Sequence, residues 1–507
     1  MMKHHVRIEP IGLEEEVEHL TPLRDVVAKH GVEFPCSGKG RCGNCKVKLL
    51  KGNIEIDNKQ KTLLEQKHLD NKDWRIACLS TVTEDITLYI EPRGKEVIQT
   101  DYSFFKFQPE KGYGIAIDLG STTIVSQLIN LQTNQIEDTT MTINSQTFYG
   151  ADIISRLSYA MKSTTHLKQL SNLVRDDIRT QIRTFDDNKR QKTRKVVIVG
   201  NSVMHNLFGC INITNLATYP FQSPNNAELE FYADELEFPL PPTCKVRFLP
   251  NMGHFVGSDI LAGIQAIKMQ KQEKYQLLID LGTNGEIALG NKYNIHYAST
   301  AAGPAFEGIN ISQGMRASSG AIYRIDSSGY KTINNTKAKG ICGSGLIDSI
   351  YLLLKEKKID NTGAIIESNC HRLPLTEDIY LTDKDIREFQ LAKGAISAGI
   401  QILLDEANIT ISEVEHVYLS GGLGNYVDED KAIRIGLLDG MKKSQILKMN
   451  NSALMGAKEN LFENNNTEMK IILALAKHCS LETNTKFQDI YCEKLFFPNK
   501  IPNDNNI

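Results

Sequence analysis

Residues 113–129 read YGIAIDLGSTTIVSQLI, and residues 276–290 read QLLIDLGTNGEIALG. In both stretches a short apolar strand ends in Asp-Leu-Gly, small hydroxyl or amide residues follow, and a second apolar strand begins. A single Asp-Leu-Gly is common by chance, but two copies in the same strand–turn–strand context indicate an internal repeat. The sequence therefore predicts that each copy forms a β-hairpin with a tight, glycine-containing turn.

The turn of each hairpin is suited to holding phosphate. Glycine lets backbone N–H groups converge on one point, and the neighbouring hydroxyl and amide side chains add further donors. The Asp before each glycine can hold Mg²⁺ through water or orient an attacking water, so Asp118 and Asp280 are the predicted catalytic residues. Glu286, just after the second turn, is a further candidate. The predicted phosphate-binding residues are Gly120, Ser121, Thr122, Thr123, Gly282, Thr283, Asn284 and Gly285.

Two more glycine clusters follow predicted strands. In VYLSGGLGNYV (417–427), Gly421, Gly422 and Gly424 allow close approach of a flat ring or a ribose. In KGICGSGLIDSIYLLL (339–354), Gly343 and Ser344 precede an apolar helix, whose N-terminus favours anions. Each cluster alone is more often an ordinary tight turn, but the four in this order favour a nucleotide site. The sequence contains no G-x4-G-K-[ST] motif, which excludes a P-loop protein.

Four of the ten cysteines lie in the first 78 residues, where residues 34–50 read FPCSGKGRCGNCKVKLL. Cys36, Cys42, Cys45 and Cys78 are predicted to bind a [2Fe–2S] cluster, because small residues in the loop let the backbone wrap closely around it. Zinc, which usually shows two short cysteine pairs, and inert thiols are the alternatives. The other six cysteines, which we expect to be small buried side chains, are Cys210, Cys244, Cys342, Cys370, Cys479 and Cys492.

Two regions resemble known families. The order of helix (22–30), cysteine loop, strand and late cysteine resembles the [2Fe–2S] ferredoxins over about residues 1–95. By that resemblance Cys36 and Cys42 would hold one iron, and Cys45 and Cys78 the other. The glycine clusters along residues 112–460 resemble the family of actin, the sugar kinases and the heat-shock chaperone ATPases, in which two ribonuclease-H-like halves hold ATP between them. DLGSTT and DLGTNG are similar to its phosphate motifs, and LSGGLGN is similar to its adenosine motif.

Further segments resemble one branch, the reductive activators of corrinoid-dependent methyltransferases and corrinoid iron–sulfur proteins. They are YGADIISRL (149–157), VVIVGNSVMHNLFG (196–209), FLPNMGHFVGSDILAGI (248–264), STAAGPAFEGINISQGM (299–315), GICGSGLIDSI (340–350) and FQDIYCEKLFFP (487–498). The resemblance implies an α/β multidomain protein in which a β-grasp [2Fe–2S] ferredoxin-like domain precedes an actin-like ATPase with two ribonuclease-H-like subdomains. The expected divisions are 1–95 (ferredoxin-like), 96–111 (linker), 112–275 and 276–462 (the two halves) and 463–507 (C-terminal cap and tail).

The same resemblance implies an activity. It is the ATP-dependent reductive reactivation of a corrinoid protein, in which one electron passes from the [2Fe–2S] cluster to Co(II) and regenerates Co(I). ATP and Mg²⁺ are the implied cofactors beside the cluster. The implied partners are a corrinoid-binding protein or corrinoid methyltransferase component and a low-potential electron donor; the question of a homodimer stays open.

Composition restricts the alternatives. A chain of 507 residues exceeds what one core usually organises. With 58 basic and 61 acidic residues there is no basic field for nucleic acid, and we expect no such partner. The sequence has no apolar run near 18 residues and no secretory h-region, so we expect a cytoplasmic protein without membrane partners.

Two other functions fit parts of the pattern. Activators of radical dehydratases also join an actin-like ATPase to a cluster, but they usually bridge one [4Fe–4S] cluster between subunits. A nucleotide-gated redox adaptor without turnover would need the same two parts. The visible spectrum distinguishes a [2Fe–2S] from a [4Fe–4S] cluster, and so separates the corrinoid reductase from a dehydratase activator. Repeated turnover of Co(II) to Co(I) separates the reductase from an adaptor.

Overall fold

In the computed structural model of the chain, the described residues are 2–10, 12–30, 32, 40, 43, 45–66, 69–90, 105, 107–150, 152–219, 221–282, 284–366, 371–462 and 467–499. They form two compact units. One comprises residues 1–95, 121–123 and 142–177, and the other comprises residues 96–120, 124–141 and 178–507. Within the described residues, no helix is both long and apolar enough to cross a lipid bilayer.

The first unit contains a five-stranded mixed sheet in the order β2-β1-β7-β4-β5. Alternate residues of β1 are buried, as a one-sided sheet requires, and β1 runs parallel to β7. The short helix predicted before the cysteine loop is present as α1, and the fold is the predicted ferredoxin-like β-grasp. The elements are β1 (Lys3–Glu9), β2 (Leu13–Glu18), β3 (Thr21–Pro22), α1 (Leu23–Val27), β4 (Lys46–Lys51), α2 (Asn58–Gln66), β5 (Trp74–Ile76), β6 (Thr81–Val82) and β7 (Ile86–Tyr89).

The same unit includes residues 142–177, which carry helix α3 (Ile153–Ala160) and most of helix α4 (Thr164–Thr184). Phe148 packs against the hydrophobic core of the β-grasp sheet. The guanidinium carbon of Arg24, on α1, lies 5.1 Å from the centre of the Phe148 ring, a cation–π distance. The Oγ of Ser145 donates to Asp177 at 2.6 Å, which holds the start of this segment against α4.

The second unit begins with a six-stranded sheet in the order β10-β9-β8-β11-β13-β12. Its first strand, β8, pairs with β9 as the predicted antiparallel hairpin and lies parallel to β11 on its other side. The strands are β8 (Tyr113–Leu119), β9 (Thr123–Asn130), β10 (Gln135–Ile143), β11 (Thr193–Val199), β12 (Leu229–Tyr232) and β13 (Lys245–Phe248). The helices are α5 (Asp187–Arg190), α6 (Ser202–Phe208), α7 (Thr214–Ala217) and α8 (Ser258–Ala266).

A second six-stranded sheet has the order β23-β22-β14-β15-β16-β24. Its strand β14 pairs antiparallel with β15 and parallel with β22, which repeats the environment of β8. The strands of this half are β14 (Tyr275–Leu281), β15 (Gly285–Gly290), β16 (Ile295–Thr300), β17 (Ala321–Asp326), β18 (Gly329–Thr332), β19 (Gly340–Ile341), β20 (Arg372–Pro374), β21 (Tyr380–Thr382), β22 (Val414–Ser420), β23 (Ile446–Lys448) and β24 (Ala476–His478). Of these, β17, β18 and β19 form a separate three-stranded sheet, and β20 and β21 form a two-stranded one. The predicted internal repeat is therefore confirmed as two related half-domains.

The helices of this half are α9 (Gly343–Lys355), α10 (Asp383–Ala407), α11 (Gly421–Gly424), α12 (Glu429–Arg434), α13 (Ser452–Asn460), α14 (Thr467–Leu475) and α15 (Phe487–Leu495). Residues of α8 and α13 share one hydrophobic core, which joins the two halves of this unit. The long helix α10 starts at a capping box in which Thr382 and Asp385 exchange hydrogen bonds. Phe105 and Phe107, in the predicted linker, pack on Phe462 at ring distances of 5.5 and 5.0 Å.

Candidate functional site

The two predicted hairpins place their Asp residues at matching positions but against different partners. In the β8–β9 pair, Asp118 lies opposite Val125. In the β14–β15 pair, Asp280 lies opposite Glu286. Gly120, Ser121 and Thr122 form the first turn; in the second, Gly282 N donates to the Asn284 carbonyl at 3.2 Å, and Thr283 lies outside the described residues.

Asp118 is held by an asparagine from the other half of the unit. The Nδ2 of Asn451 donates to Asp118 Oδ2 at 2.7 Å. The same side chain caps α13, because its Oδ1 accepts from the N–H of Leu454 at 2.7 Å. Because the amide oxygen of Asn451 accepts from the helix, its amide nitrogen is the atom that faces Asp118. The start of α13 therefore fixes the position of the Asp118 carboxylate.

Asp280 is held by the end of β22. Ser420 lies beside Asp280 in the parallel β14–β22 register and hydrogen-bonds its carboxylate. Ser452 Oγ in turn donates to Ser420 Oγ at 2.7 Å. The next residue, Gly421, has φ of +85°, and a Cβ there would lie 2.7 Å from Asp280 Oδ1. Only glycine fits this position, which explains the glycine at the start of the predicted adenosine motif.

Four carboxylates come together around this point, two more than the sequence singled out as catalytic. Glu286 faces Asp280 across the hairpin and is 8% exposed. Asp259, in the first turn of α8, interacts electrostatically with Asp118 and Asp280. Sequence reasoning missed Asp259, because it follows no strand and belongs to no repeated motif; the only available signal was its place within the segment 248–264, which resembles the reductive activators.

The local electrostatics disfavour charge on these groups. Burial raises the pKa of Asp118 to about 7, and the charge of Asp280 adds to the rise while the bond from Asn451 opposes it. Burial likewise raises the pKa of Asp259 to about 7, with Asp118 and Asp280 contributing. Burial, followed by repulsion from the other three carboxylates, raises the pKa of Glu286 well above its ordinary value. The cluster therefore favours protonated carboxyls when it is empty, and a bound cation would stabilise the ionised form.

The arrangement fits Mg²⁺ held through water. In the described part of the chain, no Lys or Arg side chain forms an ion pair with any of the four carboxylates. Among the described residues, no three of these carboxylates place oxygen atoms within 4.8 Å of one another. The carboxylates alone therefore do not supply three direct ligands to one metal ion. Mg²⁺ usually keeps several waters and uses one or two carboxylates together with phosphate oxygens.

The remaining predicted nucleotide residues lie on neighbouring elements. Gly343 and Ser344 are buried at the start of α9, and a Cβ on Gly343 would lie 3.0 Å from Leu423 of α11. The α9 N-terminus therefore adjoins the segment that carries Gly421, Gly422 and Gly424. The structure brings Asp118, Asp280, Gly421 and the α9 glycine into one region of the second unit.

The predicted cluster ligands are described in part. Cys36 and Cys42 lie outside the described residues. Cys45 is buried and Cys78 is half-buried, and the backbone N–H of Ala77, next to Cys78, donates to the Cys45 carbonyl at 2.8 Å. Gly40 has φ of +62°, and a Cβ there would lie 2.6 Å from Leu79 Cδ2. A loop whose glycine passes this close to the Cys78 segment fits tight wrapping around a cluster.

Comparisons with known proteins agree with both parts of the chain. Three family models match: a 2Fe-2S iron-sulfur cluster binding domain over residues 6–83, the RACo middle region over residues 113–272, and the C-terminal domain of RACo, the ASKHA domain, over residues 274–505.

Relatives match over most of the chain. The corrinoid activation enzyme RamQ of Eubacterium limosum is 31% identical over 422 residues, which cover 77% of this chain and 71% of that protein. The reductase of the Co(II) methylated amine-specific corrinoid protein of Methanosarcina barkeri is 29% identical and covers 77% of this chain and 78% of its own. A solved reductive activator for corrinoid, iron-sulfur protein has the same fold, with a TM-score of 0.69, 24% identity and 98% coverage of each chain. The chain therefore belongs to the family of corrinoid activation enzymes, and it joins an iron–sulfur domain and an ASKHA domain in one polypeptide.

Proposed function

We propose that this protein is an ATP-dependent corrinoid reductase, which reduces the Co(II) form of a partner corrinoid protein to Co(I). The observation that carries the proposal is the combination in one chain of a ferredoxin-like domain and a four-carboxylate site built on two Asp-Leu-Gly hairpins. Two relatives, a corrinoid activation enzyme and a reductase of a Co(II) corrinoid protein, support this choice of substrate.

The proposed cluster ligands are Cys36, Cys42, Cys45 and Cys78. A bound [2Fe–2S] cluster supplies one-electron chemistry near about −400 mV if it resembles the plant-type centres. The protein positions two of these thiols by the β4–β5 pairing, which places Cys45 beside the Cys78 segment. The partner is a corrinoid-binding protein or corrinoid methyltransferase component, and a low-potential donor supplies the electron.

At the nucleotide site we propose that the two hairpin turns hold phosphates and that Asp118 and Asp280 position Mg²⁺ or the attacking water. The phosphate residues are Gly120, Ser121, Thr122, Thr123, Gly282, Thr283, Asn284 and Gly285. Gly343 and Ser344 contribute a helix N-terminus, and Gly421, Gly422 and Gly424 line the adenosine end. In their ionised form, Asp259 and Glu286 add negative charge that favours a divalent cation.

ATP is needed because the electron transfer is uphill. If the Co(II)/Co(I) couple lies about 100 mV below the potential of the cluster, the transfer of one electron costs about 2.3 kcal/mol. The energy can be transferred if ATP favours one of two states of the complex with the corrinoid protein. Asn451 is suited to this coupling, since it links Asp118 of the first half to helix α13 of the second.

The test combines purified protein, a candidate corrinoid protein, ATP and a low-potential reductant, and follows the Co(I) absorption band. We expect many Co(II) centres to be reduced per molecule, and Cys45→Ala to abolish the reaction while ATP binding is retained. Cys492→Ala, which changes an exposed thiol, is the matched control and should behave as the wild type. If the Cys45→Ala protein still reduces cobalt, the proposed electron route is wrong.

A further inference from the structure

Three side chains that do not belong to the carboxylate site converge at the edge of the second sheet. His296 lies on β16, Cys479 directly follows β24, and Glu406 lies in the last turn of α10. One ligand atom from each lies within 4.8 Å of the others, which makes this the one such group of three among the described residues. We propose that His296, Glu406 and Cys479 form a binding site for a divalent transition metal of the zinc type.

The distances and donor types fit zinc. Cys479 Sγ lies 3.7 Å from His296 Nδ1. A tetrahedral Zn²⁺ with ordinary Zn–S and Zn–N bonds separates a sulfur and a nitrogen ligand by about 3.6 Å. One thiolate, one imidazole and one carboxylate are all zinc ligands, and the fourth position would take water. Mg²⁺ and Ca²⁺ prefer oxygen-only sites and fit this set poorly.

The sheet fixes two of the ligands before any metal binds. Strands β16 and β24 are parallel neighbours, with His296 opposite Lys477. The N–H of Cys479 donates to the Tyr297 carbonyl at 2.8 Å, which places the thiol beside the imidazole. His296 is 7% exposed and Cys479 is 6% exposed, so both are held in a well-packed environment.

Glu406 supplies the charge from an otherwise unfavourable position. A carboxylate at the C-terminal end of a helix lies against the negative end of the helix dipole, and α10 has no basic residue in its last turn. Its partner is Lys477, at 3.4 Å in an exposed ion pair, which contributes little stability. A metal ion would satisfy Glu406 more fully and would tie α10 to two strands of the sheet.

This site changes the interpretation of the cysteines outside the cluster. All six were expected to be small buried side chains. Cys244, Cys342 and Cys479 are buried, Cys210 is half-buried, Cys492 is exposed, and Cys370 lies outside the described residues. Exposure of Cys492 corrects that expectation: it lies on α15, a helix with no fully buried residue. The proposal does not depend on the corrinoid reductase activity.

The test is titration of the full-length, cluster-containing protein with ZnCl₂ by isothermal calorimetry. We expect one zinc per chain for the wild type and for Cys492→Ala, the matched thiol control. Cys479→Ala and His296→Ala should weaken binding by more than the roughly 10–100-fold that loss of an outer-shell partner causes. Glu406→Gln, at an exposed position that tolerates substitution, should weaken it at least about tenfold.

Zinc-edge X-ray absorption of the one-to-one complex provides a second readout. We expect one sulfur and a shell of nitrogen and oxygen ligands. The visible spectrum of each variant reports whether the cluster and its domain are intact. Absence of saturable binding to the wild type, undiminished binding to Cys479→Ala or Glu406→Gln, or a shell of several sulfurs would each overturn the proposal.

Discussion

The two Asp-Leu-Gly hairpins are alike in backbone and unlike in charge. Strands β8 and β14 share the same pattern of buried and half-buried positions, and each has an Asp as its next-to-last residue. The residue opposite that Asp is Val125 in the first hairpin and Glu286 in the second. Like charges opposite each other destabilise a sheet, so the second hairpin gives up stability that the first retains. We infer that the second hairpin is specialised for cation and water positioning, and that the first mainly holds phosphate.

The largest expected effect comes from removing the charge of the second hairpin. Asp280→Asn should lower ATP hydrolysis by about 10²–10³-fold, since it removes the group that faces both Glu286 and Ser420, whereas Asp118→Asn should lower it by about 10-fold. Steady-state phosphate release with Mg²⁺-ATP measures both variants, and fluorescent-nucleotide binding should change less than tenfold in each. Equal losses would break the division of roles between the hairpins.

The next prediction copies the second hairpin's charge into the first. Val125→Glu would place a carboxylate directly opposite Asp118 and should lower the free energy of unfolding by about 3 kcal/mol, because a partly buried charge is left without a partner. Val125→Thr changes shape less and adds no charge, and serves as the control. Urea denaturation of the nucleotide-free protein gives both values; a Val125→Glu protein as stable as Val125→Thr would contradict the electrostatic explanation.

A smaller effect depends on pH. The pKa of Asp118 is raised from 3.8 to about 7 in the folded protein. Folding therefore favours its protonated form, and the associated stability is present at low pH and lost as pH rises toward 7. Asp118→Asn has no such loss, so its free energy of unfolding relative to wild type should increase by about 2 kcal/mol between pH 5 and pH 8. Denaturation without nucleotide or Mg²⁺ measures this difference, and a constant offset would show that Asp118 does not titrate in this range.

The smallest effect tests the link between the halves. Asn451→Ala removes both the cap of α13 and the bond to Asp118, and should cost about 1 kcal/mol of stability. Asn451→Ser can still cap the helix but is too short to reach Asp118. We expect Asn451→Ser to be as stable as the wild type. ATP hydrolysis should stay lowered in both variants, because neither side chain contacts Asp118. Recovery of both by Ser would mean that only the cap matters.

Sequence reasoning found the parts of the fold that local patterns encode. The Asp-Leu-Gly hairpins and the glycine at position 421 follow from short-range rules on turns. Glu286 was named only for its place after a turn, because the strand register that sets it against Asp280 is not written in the local sequence. Asp259 and Asn451 reach the site from helix starts whose position depends on the packing of α8 against α13.

Contacts between residues distant in sequence were equally hidden in the ferredoxin-like unit. The cysteine spacing indicated the cluster ligands, and the family comparison agrees with that domain. The inclusion of residues 142–177 in the first unit could not be predicted, since Arg24 and Phe148 are far apart in sequence and meet only in the folded chain. The pairing of Cys479 with His296 was hidden for the same reason.

The contact between Arg24 and Phe148 has an evolutionary consequence. A recombination event that exchanged only the N-terminal 95 residues would inherit a redox module without the segment that packs on its core. Successful exchanges should instead carry residues 142–177 with them, or be followed by compensating changes on both sides. Across related sequences, positions 24 and 148 are therefore expected to vary together, so that the history of this fusion is recorded as a correlation between two distant parts of the gene.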